Sequence, residues 1–200
     1  MPVDYVHDLQ NVYRELLDGL SRPGEIKVIK DSMETVDKDL PCFHSSFLTA
    51  LTLLDGEVSF HIISKQQSKI AEKVSAYTMA KHVAPDEADF VFAFKDASEK
   101  EIVDVLNVCK FGDLENPQYA ATWIIESESL SNSPGVTLKG PGIKKQMMLN
   151  TDCPLAVWAK RNEFRQEFPL GIDVIFVDKR ARAACIPRST IVENVPNMLD

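Results

Sequence analysis

Asp89-Phe90-Val91-Phe92-Ala93-Phe94 is the stretch that decides the fold class. It is a short, continuous apolar run, the pattern of a strand covered on both faces, as in a parallel sheet under helices. Ile172–Val177 repeats the pattern, and Ala183–Ile186 can pair beside it. Upstream, Val58, Phe60 and Ile62 alternate with Ser59 and His61, which predicts a strand entered through an Asp55-Gly56 turn. A polar helix over about Gln66–Met79 separates that strand from the run at 89–94.

Further out, Val6, Leu9, Val12, Tyr13, Leu16, Leu17 and Leu20 form a stripe at helical spacing, with Asp4 as the expected N-cap. Pro23 drives Arg22 out of helical geometry and Gly24 can adopt positive φ, so this helix stops before a short strand over Glu25–Lys30. A second helix, apolar nearly all round and so central, is expected from Pro41 through Leu54. Ser98 and Glu101 have capping-box spacing ahead of Ile102, Val105, Leu106 and Cys109. A Gly-, Asn- and Pro-containing loop covers Lys110–Tyr119, and strands follow over Ala121–Glu126, Val136–Lys139 and about Ile143–Leu149. Asp152 and Pro154 open a last helix, ending near Arg165. Helices alternating with strands, then clustered strands, predict one α/β domain over residues 1–200 with its core at about 5–190, a mixed sheet flanked by helices.

Composition narrows the function. The 200 residues carry 44% hydrophobic side chains, enough for a sizeable core. A net charge of −8 argues against a nucleic-acid surface, which depends on Lys and Arg at phosphates. Apolar runs fall short of the ~20 residues of a membrane helix, and the N-terminal residues show no signal peptide. A cytoplasmic protein is expected, with no membrane or nucleic-acid partner. Cys42, Cys109, Cys153 and Cys185 are scattered, so they read as small hydrophobes and exclude a cysteine-ligated cluster.

Active-site signatures fail one by one. Gly19-Leu20-Ser21-Arg22-Pro23-Gly24 has its second glycine one residue late for a nucleophile elbow, and it follows a helix rather than a strand. His7, His44, His61 and His82 stand apart, with no metal-ligand spacing. His7-Asp8 is placed at the start of the first helix and His82 in a connection. Catalytic residues stay unassigned, and neither metal nor cofactor is expected. Lys139-Gly140-Pro141-Gly142-Ile143-Lys144-Lys145 is the best anion-binding candidate, since glycines admit close backbone approach and lysines supply charge. A tight turn between strands explains the same residues without a ligand. Arg22 and Arg188, each beside a proline, could clamp an anion or a partner's carboxylate.

These turns also occur in a familiar order. His7-Asp8-Leu9-Gln10, Tyr13–Asp18 and Ser21-Arg22-Pro23-Gly24 open the series, followed by Leu53-Leu54-Asp55 and Ala88-Asp89-Phe90. Phe111-Gly112, Asn116-Pro117, Ala120-Ala121-Thr122 and Leu138–Ile143 continue it. Phe168–Asp173 and Ile186–Thr190 close it. The set resembles the H subunit of the bacterial carbon–phosphorus lyase system, the PhnH family, and departs from it at 111–117, where Thr-x-Glu-Tyr/Phe-Pro is more usual. The resemblance implies a core-complex subunit that acts with G, I and L partners. Together they convert ATP and a phosphonate into ribose 1-phosphonate 5-triphosphate (a transferase step). The iron–sulfur J subunit, a further partner, performs the later cleavage. It implies a fold like the large domain of pyridoxal-phosphate transferases without the cofactor, and a homodimer in isolation. A structural or accessory role is therefore expected. Direct nucleotide or phosphonate binding and autonomous pyridoxal-phosphate chemistry are the other readings, the last resting on fold analogy.

Overall fold

The computed structural model describes residues 5–29, 40–164 and 168–193. The expected N-cap Asp4, the strand end at Lys30 and the helix end at Arg165 lie outside them. Helix α1 (Tyr5–Ser21) leads through Pro23 to the two-residue strand β1 (Lys27–Val28). Helix α2 (His44–Leu53), strand β2 (Ser59–Ile63) and helix α3 (Gln67–Thr78) follow, with the short strand β3 (Lys81–His82) after them. Strand β4 (Phe90–Ala93), helix α4 (Glu99–Leu106) and strand β5 (Thr122–Ser127) come next. The chain continues through β6 (Ser131–Lys139), β7 (Met147–Asn150), α5 (Leu155–Phe164), β8 (Asp173–Asp178), β9 (Arg182–Ile186) and β10 (Ile191–Glu193).

Seven strands form one sheet in the order β1-β9-β8-β5-β4-β2-β3. The stretch from β3 to β8 is parallel, while β9 is antiparallel to both β8 and β1. The runs at 89–94 and 172–177 are adjacent to β5 on either side, so each is covered above and below. Pleating sends their side chains alternately into two cores. Val91, Ala93, Trp123, Ile125, Val174 and Phe176 face α4 and α5. Phe92, Phe94, Ile124, Ile175 and Val177 face α1, α2 and α3. Each large side chain so buried contributes about 1.5–3 kcal/mol.

Of the strands clustered in the middle of the chain, β5 joins this sheet and β6 and β7 do not. Strands β10, β6 and β7 form a separate three-stranded antiparallel sheet, register-broken between Ser131 and Val136. Its Val136, Leu138, Leu149 and Val192 pack into the α4–α5 core. The mixed sheet is thus covered by helices on one face and by helices plus a small sheet on the other.

The start of α2 and the place of His82 differ from expectation for physical reasons. Helix α2 begins at His44, not Pro41, because Phe43 is extended and its N–H is bonded to the Glu126 carboxylate at 2.6 Å. A side chain 83 positions away therefore sets the helix start. His82 belongs to edge strand β3 and stacks on His61 of β2, with ring centroids 5.4 Å apart. The Ser98–Glu101 capping box forms as expected, with Ser98 Oγ accepting from the Glu101 N–H at 3.3 Å.

Candidate functional site

The residues picked out as candidates converge through their backbones rather than their charges. Helix α1 closes with Ser21 Oγ donating to the Leu17 carbonyl at 3.0 Å, which leaves this hydroxyl engaged in the helix end. Gly24 then turns at φ 80° and its N–H donates to the Cys185 carbonyl of β9 at 3.1 Å. Asn132 Nδ2 secures the same turn from the small sheet, donating to the Gly24 carbonyl at 2.9 Å and the Met148 carbonyl at 2.8 Å.

The 139–145 segment lies directly against that turn. Gly142 has φ 81°, and a Cβ there would overlap the Ser21 carbonyl oxygen and sit 2.8 Å from Pro23 Cδ. Gly140 faces the 186–190 segment, with the Ser189 carbonyl 3.2 Å from where its Cβ would lie. Buried Arg161 fixes that third segment, donating to the carbonyls of Pro187 at 2.7 Å and Thr190 at 3.2 Å. Three turns distant in sequence are thereby closed into one junction, at the amino-terminal end of the parallel strands.

The charged candidates are distributed differently. Arg22 is exposed beside Asp18 at 3.5 Å and Glu25 at 3.8 Å, a solvent-screened arrangement. Arg22→Ala should therefore shift unfolding free energy by no more than about 0.5 kcal/mol in a urea titration. Lys139 is paired with Glu193 at 2.6 Å. Lys144 and Lys145 are exposed, and neither forms an ion pair with another described residue.

Arg188 is turned inward. Its backbone N–H donates to Asp173 at 2.7 Å, its guanidinium grips the same carboxylate with Nη2 at 2.7 Å, and Nη1 reaches the Pro117 carbonyl. The arginine staples the start of β8 to the 111–117 loop, so it is not an open clamp. Asp173 and Arg161 were not singled out from the sequence; the one available signal was Asp173 closing the Phe168–Asp173 landmark.

Asp89, in the Ala88-Asp89-Phe90 landmark, works in the same way. It accepts from Ser59 Oγ at 2.7 Å and Lys110 Nζ at 2.8 Å. Burial pushes its carboxyl upward, but these bonds outweigh burial and hold it below the usual carboxylate range. A depressed folded value means that its contribution is present at neutral pH and fades as pH falls through that value. Asp89→Asn should accordingly flatten the acid limb of stability against pH, read from urea midpoints.

Burial disfavours the thiolate at Cys109, Cys153 and Cys185. None forms a disulfide, and burial raises Cys109 to about 11 and Cys185 to about 12. Among the described residues no group of three or more metal-ligating side chains occurs. No helix there is long and apolar enough to cross a membrane.

The contacts join the sequence landmarks to one another: 21–24 with 138–142, 140 with 189–190, and 188 with 173 and 117. A family model described as "Bacterial phosphonate metabolism protein (PhnH)" matches residues 3–193. The chain belongs to the PhnH family. It is 29% identical over 196 residues to "Alpha-D-ribose 1-methylphosphonate 5-triphosphate synthase subunit PhnH" of Rhizobium meliloti (strain 1021), covering 95% of this chain and 92% of that protein. It is 26% identical over 186 residues to "Putative C-P lyase subunit protein HtxG" of Stutzerimonas stutzeri, covering 90% and 84%. PhnH relatives are thus subunits in phosphonate metabolism.

Proposed function

We propose that this chain is an accessory, non-catalytic subunit of the carbon–phosphorus lyase core complex. On this reading it acts with G, I and L subunits as they replace the adenine of ATP by a phosphonate, and it also meets the J subunit. The observation that carries the reading is the junction itself. The turns at 21–24, 139–142 and 186–190 are spent on holding one another together, and among the described residues no group of metal-ligating side chains is built from them. The full-length match to a synthase subunit supports it. A cytoplasmic homodimer in isolation, without a bound cofactor, completes the proposal.

Co-expression with G, I and J counterparts, followed by size-exclusion chromatography, tests the assignment. Co-elution is the expected result, and consistent failure to co-elute overturns it. Synthase assays on Arg22→Ala and Arg188→Ala sharpen the role. A structural part predicts that activity falls in step with assembly, whereas a ligand-binding part predicts intact assembly with lost turnover.

Exposed Lys144 and Lys145, next to Gly142, favour a second reading in which the junction contributes to holding nucleotide or phosphonate. Calorimetry with ATP and with methylphosphonate on the isolated chain separates the two. Heat that saturates and disappears in a Lys144→Ala, Lys145→Ala double variant would support direct binding, and its absence at millimolar ligand removes an autonomous site. A visible absorbance band in the purified protein would instead signal pyridoxal phosphate.

A further inference from the structure

The opposite end of the sheet holds a cavity that the junction does not use. The parallel strands run β3-β2-β4-β5-β8, so the chain leaves the first of them, β2, to one side and continues from β4 to the other. Helix α3, after β2, packs in the α1–α2 core, and helix α4, after β4, packs on the other face. Neighbouring strands whose following helices leave on opposite faces open a crevice at their carboxyl ends, the usual ligand position in open α/β sheets. A cavity of about 360 Å³ lies there, within the range of small-molecule sites.

Its chemistry is lopsided. Leu40, Pro41 and Phe43 form an apolar wall, and Gln66, Asp96 and Glu126 face them. Glu126 is buried and accepts from the Phe43 N–H at 2.6 Å, Ser46 Oγ at 2.6 Å and the Lys95 N–H at 3.0 Å. Asp96 Oδ2 accepts from Ser64 Oγ and the Lys65 N–H, each at 2.9 Å. Its Oδ1 is buried with no donor at all. That oxygen is enclosed, so it adds to the negative field beside the crevice without opening into it. The lining lysine does not neutralise this field, because the Lys95 ammonium is drawn away to Asp152. Among the described residues, then, two carboxyl groups share the crevice and neither has an ion-pair partner. Burial already pushes Glu126 upward, and the Asp96 charge adds to that push.

We propose that this crevice binds a small organic ammonium, its cationic head held in the field of the Asp96 and Glu126 carboxyls and its apolar body resting on Leu40, Pro41 and Phe43. An anion is repelled by the same carboxyls, which sets this site apart from any phosphonate-holding role of the lysines at the other end. The inference does not depend on the subunit assignment.

Two-dimensional amide NMR of the full chain titrated with benzylamine, benzyl alcohol and benzoate tests it. Benzylamine should give saturable shifts at Gln66, Lys95 and Asp96, benzyl alcohol should bind at least about tenfold more weakly, and benzoate should give none there. Asp96→Asn keeps an oxygen for Ser64 and Lys65 but turns the other position into a donor, so it should weaken benzylamine about tenfold or more. Gln66→Trp, at an exposed position on the rim, should block binding with the fold intact. The proposal is overturned if benzylamine gives no saturable shift at these amides, if benzoate matches it, or if a folded Gln66→Trp or Asp96→Asn protein binds as before.

Discussion

Gly142→Ala is expected to lower unfolding free energy by about 3 kcal/mol or more, visible as a large fall in the urea midpoint. Two costs combine. At φ 81° an alanine sits in the left-handed region, which disfavours any side chain carrying a Cβ. Relief by rotation is not available either, since the new methyl would meet the Ser21 carbonyl, a backbone atom at the end of α1. The turn would have to withdraw from its neighbour, and the small sheet would lose its contact with α1. Gly56→Ala is the matched control. Its Cβ would lie 3.7 Å from Met79 Cβ, an ordinary contact, so a change within about 0.5 kcal/mol is expected. Equal effects of the two substitutions would show that the junction contributes little to stability.

Asp178→Ala should cost about 3–5 kcal/mol. Asp178 is fully buried at the carboxyl end of β8, where Arg182 Nε and Nη2 donate to its Oδ2 at 2.8 and 2.6 Å. The N–H groups of Leu130, Arg180 and Arg182 bond the same carboxylate at 3.1, 2.9 and 3.1 Å. Truncation therefore strands a guanidinium and three backbone donors, and this penalty exceeds the worth of the pair itself. Asp178→Asn should recover part of the loss, because one oxygen remains to accept. If alanine and asparagine behave alike in urea, the carboxylate is not the organiser of this turn.

How much of this was legible in the sequence depends on how local each cause is. The runs at 89–94 and 172–177 announce their strands because both faces are covered, so apolar character alone is enough. The capping box at 98–101 is likewise settled within four residues. By contrast β6 begins Ser131-Asn132-Ser133-Pro134-Gly135, mostly exposed, and no periodicity there says that it belongs to a second sheet. The start of α2 was set too early because its cap comes from Glu126. Arg188 was read as a possible clamp because its neighbours are turn residues, but its partner Asp173 is 15 positions away on another strand. Likewise the crevice was invisible: Asp96 and Glu126 each follow an apolar run, and only the strand order brings them together. The junction was half legible. Arg22, Lys139, Gly140, Gly142, Lys144 and Arg188 were chosen for their chemistry, yet what unites them is close backbone packing, with the glycines deciding and the charges mostly peripheral.

The small sheet has a consequence for how the protein is made. Its strand β10 follows the other described strands, while the turn that the small sheet packs against follows the first helix. As the polypeptide leaves the ribosome, most of the parallel strands and their helices are already available to pair. The junction must wait until β10 has emerged and the 186–190 segment closes back toward the turn after α1. Until then Leu138, Leu149 and the turn at Pro23-Gly24 lack their final cover, and an apolar surface is open to wrong contacts. Arrest of translation before residue 191 should accordingly leave a nascent chain that chaperones hold and proteases cut near the small sheet.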